Sequence, residues 1–263
     1  MSKVRRPGRV VDPCDAVYTC AQWAEIRGES VKLSPEILTQ INVFLEGDIP
    51  QCGTVECVVL CGSYATGKAT CRSDIDLCFI GDFPDFRSET KTFRERDYHL
   101  MMAPWSWYQH VVSEYERKGN VGTITVMLAN GTCVSGDTDK WHSLHELARH
   151  YYEIGPIPPS GEEIRRHLTR IRGLWNNYCD SIDPLTRKWL YLCILKECVT
   201  AHFVLRCWWA VKPKYQLEEL RIRDGVMANM VQVCLESSPS LPDDVGDKTL
   251  SDVCNHVLGP FGW

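Results

Sequence analysis

The segment from residue 58 to residue 80 constrains the fold of this chain more than any other. An apolar run ends at Gly62-Ser63, a turn of small and polar residues follows, and a second apolar run opens with Asp74 and Asp76. Because successive side chains of a strand point to opposite faces, the two aspartates share a face, with Cα atoms about 6.5–7 Å apart. The segment therefore predicts two strands joined by a short turn, with paired carboxylates where the second strand begins.

Two ionised carboxylates at the start of an apolar strand repel each other and cost free energy unless a positive charge neutralises them. Asp74 and Asp76 offer the hard oxygen ligands that Mg²⁺ prefers, so we expect them to hold one or two of these ions. In the turn, Gly62 allows close approach of the backbone, and Ser63 offers a hydroxyl and a backbone N–H to a phosphate group. Together these residues indicate a site for a metal ion and a phosphate compound.

These residues resemble the signature of the nucleotidyltransferases of the DNA polymerase beta superfamily, in which Gly-Ser follows one strand and Asp-x-Asp opens another. Ten residues separate Ser63 from Asp74, which suits that pattern. The resemblance implies that Asp74 and Asp76 hold Mg²⁺ against a nucleoside triphosphate and that a later strand supplies a third carboxylate. Asp97 is the candidate for this third catalytic and metal-binding group. Glu95 has the same strand parity and is the alternative.

A narrower resemblance extends beyond this segment, to the two-domain antibiotic nucleotidyltransferases. Those enzymes transfer AMP or another nucleotide to a hydroxyl of an aminoglycoside or a lincosamide. The close match covers residues 55–105, and the remainder is similar in layout rather than in fixed motifs. The similar features are Ala103-Pro104-Trp105, the proline-rich residues 155–158, Trp208-Trp209, Lys212, Pro213, Lys214 and Tyr215.

The resemblance also implies a reaction and its co-substrates. A nucleoside monophosphate, AMP from ATP in the first instance, would pass to a hydroxyl of an aminoglycoside-type acceptor, with release of pyrophosphate and with two Mg²⁺ ions as cofactors. The candidate nucleotide-binding residues are Gly62, Ser63, Arg72 and Lys214. Asp97 would accept the proton of the acceptor hydroxyl or complete the second metal site. Transfer to protein or RNA, and a catalytically silent nucleotide-binding or partner-neutralising module, stay open as alternatives.

The distribution of apolar residues predicts an α+β fold in two domains. Short strand-like runs at 55–60, 75–80 and 98–102 give way to helical periodicity after the glycine- and proline-rich residues 155–161. We expect a nucleotidyltransferase domain with a mixed sheet and flanking helices over residues 1–155, and a helical domain for binding substrate or nucleotide over 156–263. Its helices are predicted at 161–179, 184–210, 215–236 and 248–257, the first capped by Ser160.

Two other segments resemble known functional motifs. Gly62-x-x-x-x-Gly67-Lys68 matches a P-loop, but Ala69 stands where a hydroxyl would bind Mg²⁺, and the turn leads to a strand rather than a helix. His145 and His150 imitate a zinc-protease motif, yet their spacing places them about 140° apart around a helix. Neither motif predicts a site.

Composition and charge limit the classes of partner that we expect. The 263 residues carry a formal net charge of -5, which gives no chain-wide reason to bind a nucleic-acid backbone, so no DNA partner is expected. No window reaches about 18 apolar residues, and residues 1–9 lack the apolar segment of a secretory signal. We therefore expect a cytoplasmic protein without a membrane partner. The fourteen cysteines are scattered without a C-x-x-C pair, and we expect them to be reduced.

The acceptor is the least constrained part of the prediction. An antibiotic polycation would need an acidic cleft, and acidic residues outside the Asp-x-Asp segment could form one. The residues considered for this role are Glu114, Glu116, Glu162, Glu163, Asp180 and Asp183.

Overall fold

A mixed sheet forms the first part of the protein. The computed structural model describes residues 34–47, 53–237 and 244–263, so the charged residues 1–9 lie outside the described part. The sheet has five strands in the order β3-β4-β2-β1-β5, in which β2 and β4 run parallel and the other neighbours run antiparallel. The strands are β1 (Thr54–Cys61), β2 (Ile75–Asp82), β3 (Arg87–Phe93), β4 (Arg96–Pro104) and β5 (Thr132–Gly136).

The three predicted strands correspond to β1, β2 and β4, and the predicted α+β class is confirmed. Strands β3 and β5 were not predicted. Strand β3 has the sequence RSETKTF and is exposed along much of its length at the sheet edge, so it lacks the apolar run that marks a buried strand.

Helices cover both faces of the sheet. Alternation along β2 sends Ile75 and Leu77 to the face covered by α1, where Phe44 packs, and sends Cys78 and Ile80 to the opposite face. A π-helical turn, Val111–Tyr115, joins α3 to α4. The helices of this part are α1 (Pro35–Gly47), α2 (Gly62–Ala65), α3 (Trp105–His110), α4 (Glu116–Gly119), α5 (Thr123–Ala129) and α6 (Thr138–Ile154).

A helical bundle follows, as predicted. Ser160 accepts a hydrogen bond from the backbone N–H of Glu163, whose side chain returns the contact in a capping box. The bundle consists of α7 (Gly161–Asp180), α8 (Pro184–Leu205), α9 (Pro213–Arg223), α10 (Gly225–Glu236), α11 (Asp244–Leu258) and a 3-10 turn, Gly259–Phe261. None of the helices in the described ranges is long and apolar enough to cross a membrane.

The single helix predicted over 215–236 is wrong. Asp224 divides it into α9 and α10, because its carboxylate accepts the backbone N–H of Met227 at 2.9 Å and so caps a new helix. Gly225, the next residue, has a low helix propensity that favours the break. The predicted helix over 184–210 is also too long, since α8 ends at Leu205 and Cys207 adopts a left-handed backbone conformation.

The sheet part and the bundle are packed together. Trp209 is buried, and its indole Nε1 donates to the carbonyl of Tyr152 at 2.9 Å while its ring lies against Gly122. Arg117 Nε donates to the carbonyl of Gly155 at 3.1 Å. Trp209 is thus part of the contact between the sheet part and the bundle. The predicted domain limits, 1–155 and 156–263, stay a prediction.

Candidate active site

Asp74 and Asp76 lie where β2 begins. Asp74 directly precedes the strand and is exposed, whereas Asp76 is the second residue of the strand and only 6% exposed. Strand β2 lies between β1 and β4, so Asp76 stands inside the sheet, opposite Cys61 on one side and His99 on the other. The alternation that sends Ile75 into the core leaves the two aspartates on the opposite face.

The electrostatics of this pair favour a cation. Burial raises the pKa of Asp76, and the negative charge of Asp74 raises it further. A hydrogen bond from His99 and the positive charge of Lys212 act in the opposite direction but do not cancel the rise. The nearby positive groups therefore do not offset the cost of ionising Asp76 in this buried position.

Gly62 brings the turn after β1 against Asp76. Its φ is 66°, in the left-handed region, and a Cβ at this position would overlap Oδ2 of Asp76. The next residue, Ser63, lies in the first turn of the short helix α2 and is half-buried. The predicted close approach of the backbone is thus an approach to the carboxylate itself, and glycine is required there.

A histidine that was not predicted also contacts the carboxylate pair. His99 of β4 faces Asp76, with Nδ1 at 3.2 Å from Oδ1. Asp97 lies on the same face of β4, two residues earlier, where it is exposed and accepts a hydrogen bond from Thr92 at 2.7 Å. The pairing of β2 with β4 begins at Ile75 and Tyr98, so Asp74 and Asp97 each lie one residue before the paired segments.

Glu95, the alternative to Asp97, occupies a different setting. It lies in the two-residue turn between β3 and β4, with a φ of 63°, so the parity of a strand does not apply to it. Sequence reasoning missed His99 because it sought only carboxylates. The parity shared by positions 97 and 99 would have indicated it.

The bundle reaches this site through the start of α9. Lys212, the exposed residue before the helix, lies close enough to lower the pKa of Asp76. Lys68, from the loop after α2, forms an ion pair with Glu218 of α9 at 3.1 Å, and its Nζ lies 5.2 Å from the centre of the Tyr215 ring. Helix α9 therefore borders the loops that follow Gly62.

The remaining candidate nucleotide-binding residues lie on these same segments. Lys214 is exposed at the start of α9, with Nζ at 4.9 Å from the centre of the Tyr215 ring. Arg72 is exposed in the loop that joins α2 to β2. Neither side chain is in an ion pair with Asp74 or Asp76.

The competing motifs do not assemble sites among the described residues. Helix α2 has four residues and ends before Gly67-Lys68, so no long helix follows the glycine loop as a P-loop requires. His145 contacts the carbonyl of Leu128 through Nδ1 at 3.0 Å, whereas His150 is exposed on the same helix. These histidines do not share a ligand position.

Comparison with known proteins agrees with the geometry. Residues 47–126 match the family model for the nucleotidyltransferase domain. Among solved structures, the chain is similar to a nucleotidyltransferase-like protein from Exiguobacterium sibiricum 255-15, with a TM-score of 0.50 and 12% identity, covering 85% of this chain and 75% of that chain. No curated protein matches. The match to the family model spans both Gly62-Ser63 and Asp74-x-Asp76, so the region that carries the candidate site is the region that is similar to a nucleotidyltransferase domain.

Proposed function

We propose that this protein transfers a nucleoside monophosphate, AMP from ATP, to a hydroxyl of an aminoglycoside-type small molecule and releases pyrophosphate. The observation that carries the proposal is the carboxylate pair Asp74 and Asp76, placed against Gly62 at the start of β2. Such a pair, next to a turn that offers backbone N–H groups, suits a metal-bound triphosphate.

The residues of the pair fit a divalent cation. Both donate hard carboxylate oxygens, and the raised pKa of Asp76 reflects a burial and a repulsion that a bound cation would offset. Asp74 and Asp76 would hold Mg²⁺, with Asp97 as the proposed third ligand. When bound, Mg²⁺ would neutralise charge on the phosphates and on the departing pyrophosphate.

The other residues of the site would position the nucleotide. Ser63 would bind a phosphate oxygen through its hydroxyl and backbone N–H, next to the carboxylates that Gly62 approaches. Lys212 and Lys214 begin a helix that borders the site, so their charges would attract the triphosphate from the bundle side. Arg72 would do so from the loop before β2.

The acceptor hydroxyl needs a group that takes its proton. We propose Asp97 for this role, because it lies on the face of the sheet that carries Asp74 and because its exposed carboxylate is open to a substrate. His99 would act as a positioning residue, since its ring contacts the carboxylate of Asp76. Glu95 lies in the turn outside this face.

We expect Asp97→Asn to lower kcat by about 10²-fold or more while nucleotide affinity stays within several-fold, because Asp74 and Asp76 still hold a metal. Glu95→Gln, a matched loss of one nearby carboxylate, is expected to retain normal kcat. Steady-state kinetics with nucleotide and acceptor varied separately would measure both effects. An active Asp97→Asn together with an inactive Glu95→Gln would refute the assignment.

Most of the acidic residues first considered for binding a cationic acceptor have other contacts in the structure. Glu116 is buried and accepts the backbone N–H groups of Ile124 and Thr125 at 2.7 Å, so it serves to begin α5. Glu163 and Asp183 cap helices in the same manner. Glu114 forms an ion pair with Lys118 of α4, and Glu162 forms one with Arg166 within α7. Asp180 is exposed at the end of α7.

The exposed carboxylates at the site are therefore the ones that support a cationic acceptor. Asp74 and Asp97 are both exposed on the face that would meet the substrate, and the chain as a whole is acidic. A polycation would be drawn to such a surface and would lose affinity as salt increases.

The test is release of pyrophosphate from each of ATP, GTP, CTP and UTP in the presence of Mg²⁺ and an acceptor panel. The panel contains aminoglycosides, lincosamides, tRNA and protein, and mass spectrometry of the products identifies the modified acceptor. We expect acceptor-dependent release with ATP and an aminoglycoside. Modification of tRNA or protein instead would favour the alternative acceptors, and nucleotide binding without release would favour the silent module.

A further inference from the structure

Three side chains from distant parts of the bundle converge at one point. His202 lies near the end of α8, Asp224 at the junction of α9 and α10, and His256 near the end of α11. Nε2 of His202 lies 3.1 Å from Oδ2 of Asp224, and Nε2 of His256 lies 3.3 Å from the same oxygen. One atom from each of the three residues falls within 4.8 Å of the others. This cluster is separate from the carboxylates of β2 and takes no part in the proposed transfer.

The spacing of these atoms suits a single tetrahedral ion. Bonds of about 2.0–2.1 Å from zinc to imidazole nitrogen or carboxylate oxygen place neighbouring ligands about 3.3 Å apart. The two distances to Asp224 Oδ2 are close to that separation before any ion is bound. Small rotations of the rings of His202 and His256 would complete the arrangement.

The surroundings orient the three groups. Oδ1 of Asp224 accepts the backbone N–H of Met227 at 2.9 Å, which leaves Oδ2 directed at both imidazoles. His202 is only 2% exposed, and its ring packs edge-on against Trp208 with centroids 5.2 Å apart. A ligand whose outer contacts fix its orientation binds metal more strongly.

The cluster remains accessible to an ion from solvent. The side chain of His256 is 26% exposed and that of Asp224 is 17% exposed, so one side of the cluster is partly open. Water can therefore supply the fourth position that three protein ligands leave.

We propose that His202, Asp224 and His256 form a binding site for a divalent transition metal, with zinc as the preferred ion. Two imidazoles with one carboxylate suit zinc and its neighbours, whereas Mg²⁺ and Ca²⁺ take sets of oxygen ligands. The ion would join the ends of α8 and α11 to the α9–α10 junction. It stabilises the folded bundle, because the unfolded chain does not hold these residues together.

The test uses the full chain, stripped with a chelator under reducing conditions and titrated with Zn²⁺ against a chromophoric chelator. Excess Mg²⁺ is present throughout to occupy the carboxylates of β2. We expect His256→Ala to weaken zinc binding at least about 100-fold, since even groups that only orient a ligand contribute 10- to 100-fold. Zinc at 100 times its Kd should raise the folding equilibrium constant of the wild-type protein about 100-fold and leave that of His256→Ala nearly unchanged.

Two further variants distinguish loss of the metal site from loss of the helix cap and from loss of a histidine elsewhere. Asp224→Asn should keep the helix cap, because asparagine caps as well as aspartate, but should weaken zinc binding at least about tenfold. His142→Ala removes an exposed histidine of α6 and should bind zinc as the wild type does. Zinc affinity within threefold of wild type in His256→Ala, or no zinc binding by the wild type, would overturn the proposal. Far-UV circular dichroism confirms that the compared proteins are folded.

Discussion

Asp74→Asn and Asp76→Asn are each expected to lower nucleotidyl transfer at least about 10²-fold while the protein stays folded. Each substitution removes one of the two charges that would hold the metal, and a metal contributes several kcal/mol to stabilising the transition state. The measurement is pyrophosphate release at saturating Mg²⁺, with folding checked by circular dichroism. Near-normal rates in either variant would remove the basis for this metal site.

Asp76→Asn is also expected to change the stability of the folded protein, which can be measured without an activity assay. Because burial and Asp74 raise the pKa of Asp76, the folded state keeps a proton on this carboxyl at pH values where the unfolded state has lost it. The free energy of unfolding contributed by Asp76 is therefore highest at pH values below its ordinary pKa, and it falls as pH rises through the raised pKa.

Asparagine does not titrate, so Asp76→Asn should lack the fall in the free energy of unfolding that Asp76 causes as pH rises. The variant should be as stable as the wild type in acid and as stable or more stable near neutral pH. Urea unfolding without added metal, repeated across the acidic range, measures the difference. A wild-type protein that gains stability over the variant as pH rises would contradict the assigned direction.

Gly62→Ala is expected to be the most disruptive single change at the site. Alanine pays about 1–2 kcal/mol for the left-handed conformation at this position, where φ is 66°, and its methyl group would displace the carboxylate of Asp76. We expect a loss of transfer of about 10²-fold or more together with a lower unfolding midpoint, because catalytic groups tolerate little displacement.

Gly173→Ala is the matched control for this change. Gly173 lies within α7, where an added Cβ would meet nothing within 4 Å, so alanine should raise stability by about 0.5–1 kcal/mol and leave activity unchanged. Thermal unfolding and initial rates of both variants test the comparison. Full activity in Gly62→Ala would show that Asp76 has more room than the structure provides.

Local sequence patterns were sufficient for most of the fold. The apolar runs gave β1, β2 and β4, and Ser160 with Glu163 marked the start of the bundle. The patterns failed where a single residue's contacts decided the outcome. Asp224 ended one helix and began another within an apparently continuous helical pattern, because its side chain captured a backbone N–H.

The candidate site divides in the same way. Alternation along a strand predicted that Asp74 and Asp76 share a face. The approach of Gly62 to Asp76 depends in addition on the antiparallel pairing of β1 with β2. His99 reached Asp76 through the register between β2 and β4, which is a property of the sheet. Lys212 was part of the resemblance to antibiotic nucleotidyltransferases, but its electrostatic effect on Asp76 follows from the packing of the chain before α9.

The sequence by itself indicated the groups of the candidate site: a glycine turn, a serine, and two aspartates whose spacing places them on one face of a strand. Only the tertiary structure decided which other residues contact this candidate site and which lie in other parts of the fold. His202, Asp224 and His256 are the clearest case, since 22 and 32 residues separate the contacting pairs and no spacing rule connects them. Alternation and helical period act over a few residues, whereas the meeting of three helix ends depends on how every helix between them packs.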